Sequence, residues 1–243
     1  MKPFVLLATR AEDVPADEEY ELFLRYSGLT SSELQRVRLE AGRMPAIDLD
    51  AISGIFLGGG PFNSSDPDAQ KSAVQRRVES EIAILLDEVV ARDFPFLGAC
   101  YGVGTLGAQQ GAVIDRHFAE PISVVDVVLS EAGEHDPLCA ALPPVFSAFV
   151  GHKEAIRSLP DTATVLASSA SCPVQMFRVG TNVYATQFHP ELDVAGITTR
   201  IHAYASYGYF GVDEIEMTLA GVNRAPVTHP AALLSAFAAR YAR

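Results

Sequence analysis

Short unbroken apolar runs alternate with longer stretches in which apolar residues recur every three or four positions. Phe4-Val5-Leu6-Leu7-Ala8 has the form of a buried strand. From Glu18 to Tyr26 the apolar residues Leu22, Phe23 and Tyr26 fall at helical spacing, and Gly28 stops the pattern. Residues 32–42 predict a second helical piece capped by Ser32, with Arg36 and Arg38 on its solvated face. Residues 51–57 predict a second buried strand, closed by Gly58-Gly59-Gly60-Pro61. Residues 70–92 form a long amphipathic pattern, with Val74, Val78, Ile82, Leu85, Leu86 and Val89 facing inward. A third strand follows at 94–99, then a helix from Tyr101 to Gln110 that Gly111 ends.

Strand-helix repetition of this kind predicts a parallel sheet with helices on both faces. After Gly111 the pattern changes. Short strands are expected at 113–114, 122–129, 145–150, 164–167, 174–177 and 183–187, completing a mixed, partly antiparallel sheet. Helices are expected at 194–207, 212–222 and 229–241, the last capped by Thr228. With no repeat and no linker, residues 1–243 are read as a single domain with a helical extension from about residue 192.

Composition narrows the function classes. A net charge of -12 argues against nonspecific nucleic-acid binding and against docking on anionic lipid. No window carries 18 consecutive apolar residues, so no membrane helix is expected, and no signal peptide is read at the start. Three cysteines, Cys100, Cys139 and Cys172, lack metal-ligand spacing and suggest free thiols in a reducing cytosol, hence a cytoplasmic protein. His117, His135, His202 and His229 have no metal-like spacing with carboxylates either. Neither a metal nor an organic cofactor is expected.

The candidate chemistry begins at Gly98-Ala99-Cys100-Tyr101-Gly102, where a strand meets a helix. This is the form of a nucleophile elbow with cysteine in the serine position. The flanking glycines keep side chains clear, and the helix N-terminus favours a thiolate. Alone, the motif is equally compatible with a buried cysteine in a glycine-rich turn. Two further strand ends change the balance. Gln187-Phe188-His189-Pro190-Glu191 offers a base, His189, and an orienting carboxylate, Glu191. The glycines at 58–60 offer backbone N–H groups that can approach a substrate, with the Tyr101 N–H as a second donor. Together they predict a Cys-His-Glu hydrolytic site.

These three motifs resemble those of class I glutamine amidotransferase domains, in particular those of GMP synthase, over residues 45–192. The resemblance implies a Rossmann-like three-layer α/β fold with a mixed, mainly parallel central sheet. It implies hydrolysis of a γ-glutamyl amide, with Cys100 as nucleophile, His189 as base and acid, and Glu191 as the orienting carboxylate. Gly60 and Tyr101, with Gly59 adjoining, would form the oxyanion hole. Two positions depart from the pattern. Gly104 stands where Cys-Tyr-Gly-Met-Gln has its glutamine, which removes a hydrogen-bonding group and opens space beside the nucleophile. Gly151-His152-Lys153-Glu154 replaces Ser-His-Gly-Asp; His152 either lines the substrate pocket or packs under a loop.

Glutamine, or another γ-glutamyl small molecule, is therefore the expected substrate. Too few residues follow Glu191 for an ATP pyrophosphatase domain, so ammonia would pass to a separate synthetase, or the chain acts as a stand-alone hydrolase. A γ-glutamyl peptide or conjugate hydrolase on the same site is the alternative, and a silent binding relative a third reading. Tyr204, Tyr207, Tyr209 and Phe210 are read as helix packing. No oligomeric state follows from the sequence.

Overall fold

The computed structural model describes residues 1–205, 215–224 and 226–243. Nine strands form one sheet in the order β2-β1-β3-β4-β11-β10-β9-β6-β7. The first five of that row are β2 (Leu34–Arg38), β1 (Phe4–Ala8), β3 (Gly54–Leu57), β4 (Phe96–Ala99) and β11 (Val183–Thr186), all parallel. The remainder, β10 (Met176–Val179), β9 (Ala163–Ser169), β6 (Glu120–Leu129) and β7 (Val145–His152), run antiparallel to their neighbours. A separate ribbon pairs β5 (Val113–Asp115) with β8 (Ala155–Ser158). The fold is the α/β architecture expected, with a mixed sheet.

The parallel strands are buried on both faces, and β1 shows how the layers divide. Phe4 and Leu6 join one core cluster with Phe23, Phe56, Leu233 and Phe237. Val5 and Leu7 point the other way, towards Val78, Ile82, Leu86 and Leu106. Helices α1 (Asp13–Ser27) and α7 (Ala232–Tyr241) thus cover one face, while α2 (Ala73–Ala91) and α3 (Tyr101–Gln110) cover the other. A short α4 (Glu131–Glu134), α5 (Val194–Ala203) and α6 (Ile215–Val222) are the other α-helices among the described residues. Ser72 caps α2 by accepting a hydrogen bond from the Gln75 N–H, and Gly28 ends α1 in the left-handed conformation. No described helix is long and apolar enough to cross a membrane.

Several expectations are corrected. Residues 34–38 are an edge strand rather than a helix. The cap-like chemistry at 30–33 closes a turn instead: Thr30 donates twice to the Glu33 carboxylate, and the Leu34 N–H bonds the Thr30 carbonyl. Arg36 and Arg38 then reach back to Asp17 and Asp13 of α1. Val74 is 38% exposed and lies off the inner face of α2. Ala231, not Thr228, precedes the last helix, and β8 had no counterpart in the expected strands. Of the aromatic group, Tyr207, Tyr209 and Phe210 lie outside the described residues.

The β4–α3 junction explains one of its glycines and not the other. A Cβ on Gly98 would sit 2.8 Å from the Gly102 Cα, whereas a Cβ on Gly102 would meet nothing closer than Leu57 at 3.9 Å. The strand and helix therefore touch backbone to backbone at Gly98 alone. Gly98→Ala is expected to cost about 1–3 kcal/mol in urea unfolding, as overpacking does. Gly102→Ala should remain within about 1 kcal/mol of the parent, because that glycine already sits in a helix.

Candidate active site

Four adjacent parallel strands, β1, β3, β4 and β11, end on one edge of the sheet, and each delivers part of the site there. The chain leaving β1 supplies Thr9 and Arg10, and that leaving β3 supplies Gly58, Gly59 and Gly60. Beyond β4 comes Cys100, and beyond β11 come Gln187, His189 and Glu191.

Cys100 holds φ 53° and ψ -89°, a conformation L residues rarely adopt. Its N–H bonds the Thr186 carbonyl at 2.7 Å, and its own carbonyl accepts the Val103 N–H at 2.9 Å. The strained turn is thus fixed both to β11 and to the first turn of α3. Cys100 is half-buried, whereas Cys139 and Cys172 are buried.

His189 and Glu191 form a buried pair, with Nδ1 2.8 Å from Oε1. Arg200 of α5 lies 3.0 Å from the same carboxylate oxygen and 3.0 Å from Nδ1. Nδ1 cannot both donate to Glu191 and accept from Arg200. The carboxylate can only accept and the guanidinium only donate, so Nδ1 carries the proton to Glu191, Arg200 donates to Glu191, and Nε2 carries the lone pair. The imidazole and the elbow converge: a Cβ placed on Gly59 would lie 2.8 Å from His189 Cε1 and 3.3 Å from Cys100 Cβ. His189 and Cys100 also line one cleft.

Behind this pair lies an ionic network that sequence reasoning missed. Arg10 donates from Nε to Glu19 at 3.0 Å and from Nη1 to the Tyr204 hydroxyl at 3.0 Å. Arg200 reaches Glu19 at 3.3 Å. Arg10, Glu19 and Arg200 are all buried. Arginine and glutamate in an amphipathic α/β sequence carry no mark of burial, so no local signal distinguishes these from surface charges. Tyr204, read as packing, is a member of the network.

Burial opposes the charge on Glu191, but His189 and Arg200 hold its carboxyl far below the usual carboxylate range. Burial lowers the His189 pKa below its ordinary 6.5, and Arg200 and Arg10 add to that while Glu191 opposes it. Withdrawal from water pushes the Cys100 thiol up to about 12, although Arg10 and Arg200 pull the other way. The resting pair is therefore a thiol beside a neutral imidazole, not an ion pair.

The remaining site candidates surround a second lobe of the cleft, which also reaches Cys100. Gly60, Tyr101, Gly104 and His152 all line it, together with Glu154 and Gln187. A side chain at 60 is excluded by Thr9 Oγ1. The space expected beside Gly104 is not open. Its Cβ position lies 2.6 Å from Glu154 Oε1 and 2.6 Å from Ser64 Oγ. Glu154 is held there by the N–H groups of Ser64 and Ser65 at 2.8 and 2.7 Å. The lost side chain has been replaced from another loop.

His152 lines the lobe and braces that loop at once. Nδ1 lies 2.9 Å from the Glu154 carbonyl and Nε2 2.7 Å from Glu120 Oε2. Glu120, His152 and Cys172 bring three buried ligand-type atoms within 4.8 Å of one another, a grouping the spacing did not suggest. Glu120 is already bonded by His152, Gln175 and Ser171, so a cation would have to displace a satisfied network.

An α/β fold with an elbow cysteine at its carboxyl edge is an amidotransferase-type architecture. The chain belongs to the class I glutamine amidotransferase family, whose model matches residues 22–201. It is 30% identical over 149 residues to a glutamine-hydrolysing GMP synthase subunit of Thermoplasma acidophilum, covering 60% of this chain and 66% of that one. To the same-named protein of Methanobrevibacter smithii it is 29% identical over 140 residues, covering 57% and 64%. The match thus spans just under two thirds of these relatives. In fold, the chain is similar to a glutamine amidotransferase from Thermotoga maritima, with a TM-score of 0.77 and 20% identity over 99% of this chain and 98% of that one.

The raised thiol has a measurable consequence. Iodoacetamide labelling of Cys100, followed by peptide mapping, is expected to accelerate about tenfold per pH unit through pH 9. A plateau between about pH 6 and 8 would reveal a preformed thiolate instead.

Proposed function

We propose that the chain hydrolyses γ-glutamyl amides, with Cys100 as nucleophile, His189 as general base and acid, and Glu191 as the carboxylate that orients it. The observation that carries this reading is the strained elbow at Cys100 lining one cleft with an imidazole whose Nδ1 lies 2.8 Å from a buried carboxylate. A neutral His189 is the form that can take the thiol proton.

The reaction runs in two halves. Nε2 removes the Cys100 proton as sulfur attacks the δ-carbonyl carbon, and the carbonyl oxygen becomes an oxyanion. The N–H groups of Gly60 and Tyr101, with Gly59 alongside, are the donors assigned to it. The tetrahedral intermediate collapses, the C–N bond breaks, and the imidazolium gives its proton to the departing nitrogen. A γ-glutamyl thioester remains on Cys100. Water then loses a proton to Nε2 and attacks the thioester, the C–S bond breaks, sulfur regains the proton, and glutamate leaves.

The lobe beside Gly104 suits the glutamyl moiety. Glu154, anchored by two backbone N–H groups, offers an acceptor for the substrate's α-ammonium. With glutamine as substrate, the product is ammonia, which a separate synthetase would consume. That reading is supported by the relatives named as glutamine-hydrolysing GMP synthase subunits. Hydrolysis without such a partner is the second arrangement, favoured by the replacement of the family's glutamine by Gly104.

Glutamate release from L-glutamine and γ-glutamyl dipeptides tests the activity, and Cys100→Ala should abolish it on every substrate. Substitution of Glu191 by Gln should lower kcat by about 10²–10⁴-fold, as loss of the orienting charge does in related triads. Because the folded His189 pKa is lowered below 6.5, the neutral base predominates at pH 7 and is lost as pH falls through that pKa. The acid limb of kcat/KM is therefore expected below pH 6.5; a limb above pH 7 would contradict the assignment of His189.

A further inference from the structure

The cleft has two lobes that meet at Cys100 and Gly60, and they differ in charge. One carries Glu154. The other carries Arg10 and Arg200, with Tyr204 at its side. His189 lines only the second. Since His189 must hand a proton to the departing nitrogen, the leaving group lies in the lobe that His189 lines. The acyl part then occupies the lobe of Glu154.

Ammonia would have no use for what the second lobe contains. Arg10 is 4% exposed, with Nε committed to Glu19 and Nη1 to Tyr204. Its third nitrogen, Nη2, makes no hydrogen bond among the described residues and lies 3.0 Å from the Cβ position of Gly59, beside the elbow. A buried guanidinium with one whole nitrogen unused, set beside the elbow, is a built acceptor-binding position.

Charge complementarity points the same way. Arg10 and Arg200 lie against Glu19 and Glu191. Glu12 stands further out, where it accepts from the Tyr204 hydroxyl at 3.3 Å. The imidazolium formed on His189 is matched by the oxyanion on the acyl carbon, so the selectivity of this lobe rests on the guanidinium of Arg10, which attracts an anion on the leaving group and repels a cation.

We infer that the lobe of Arg10 binds a carboxylate carried by the leaving amine, so that the preferred substrates are γ-glutamyl amides of amino acids or other carboxylated amines. This rests on the γ-glutamyl hydrolase reading and names its substrate class. Arg10 Nη2 donates to the leaving-group carboxylate, and Arg200 acts behind it by holding Glu191 and Glu19.

The test compares γ-glutamylalanine, γ-glutamylalaninamide and glutamine on the intact protein, with glutamate release as the common readout. A charge-assisted hydrogen bond predicts that kcat/KM for the free acid exceeds that for the amidated dipeptide by about 10–100-fold. In Arg10→Gln the ratio should fall towards one. Equal kcat/KM values for acid and amide in the parent overturn the inference while leaving γ-glutamyl hydrolysis intact, and so does an unchanged ratio in Arg10→Gln. If that variant fails to fold, the parent's ratio decides alone. Absence of glutamate from all three substrates, with no labelling of Cys100 by a diazoketone analogue of glutamine, overturns both readings.

Discussion

A carboxylate removed from water survives as an ion only beside a cation, and Glu191, fully buried, depends on Arg200 for that. His189 alone would be a poor partner, since burial disfavours its charge. Arg200 in turn is held by Glu19, and Glu19 by Arg10. The chain of charges thus runs from the loop after β11, through α5 and α1, to the residue that follows β1. It spans the edge where β3 and β4 present the glycines and Cys100. Four strand ends become one site because these charges cannot be satisfied separately.

The same network accounts for the protonation states. Burial, helped by two nearby arginines, keeps the imidazole neutral, while the buried carboxylate keeps its proton on Nδ1. A neutral ring with Nε2 free is what a thiol needs from a base. The thiol itself receives little help at rest, because the cost of burial exceeds the pull of the arginines. In the proposed mechanism, proton transfer and carbon–sulfur bond formation therefore belong to one event, which requires a bound acyl group.

Much of this was legible in the sequence where the chemistry is local. The elbow glycines lie within two residues of Cys100, and Glu191 lies two residues from His189, so a short reading frame captures each. The parallel half of the sheet was legible because buried strands are unbroken apolar runs. Residues 34–38 were not: Leu34, Val37 and a turn that copies helix-capping chemistry imitate a helix, and only pairing with β1 makes them a strand. Arg10, Glu19 and Arg200 were invisible because burial of a charge is decided by partners distant in the chain. Gly104 was read as a vacancy for the same reason, since the group that fills it comes from residue 154.

The last of these has a bearing on how the site can change. Residues 104 and 154 claim the same small volume in the lobe that reaches Cys100, one from a helix and the other from a loop. They form a single steric locus distributed over two positions. A longer side chain at 104 is admissible only if 154 withdraws, and the Ser64–Ser65 turn loses its anchor when it does. The two positions are therefore coupled: a longer side chain at 104 alone crowds this end of the cleft, and withdrawal of 154 alone leaves it unsupported.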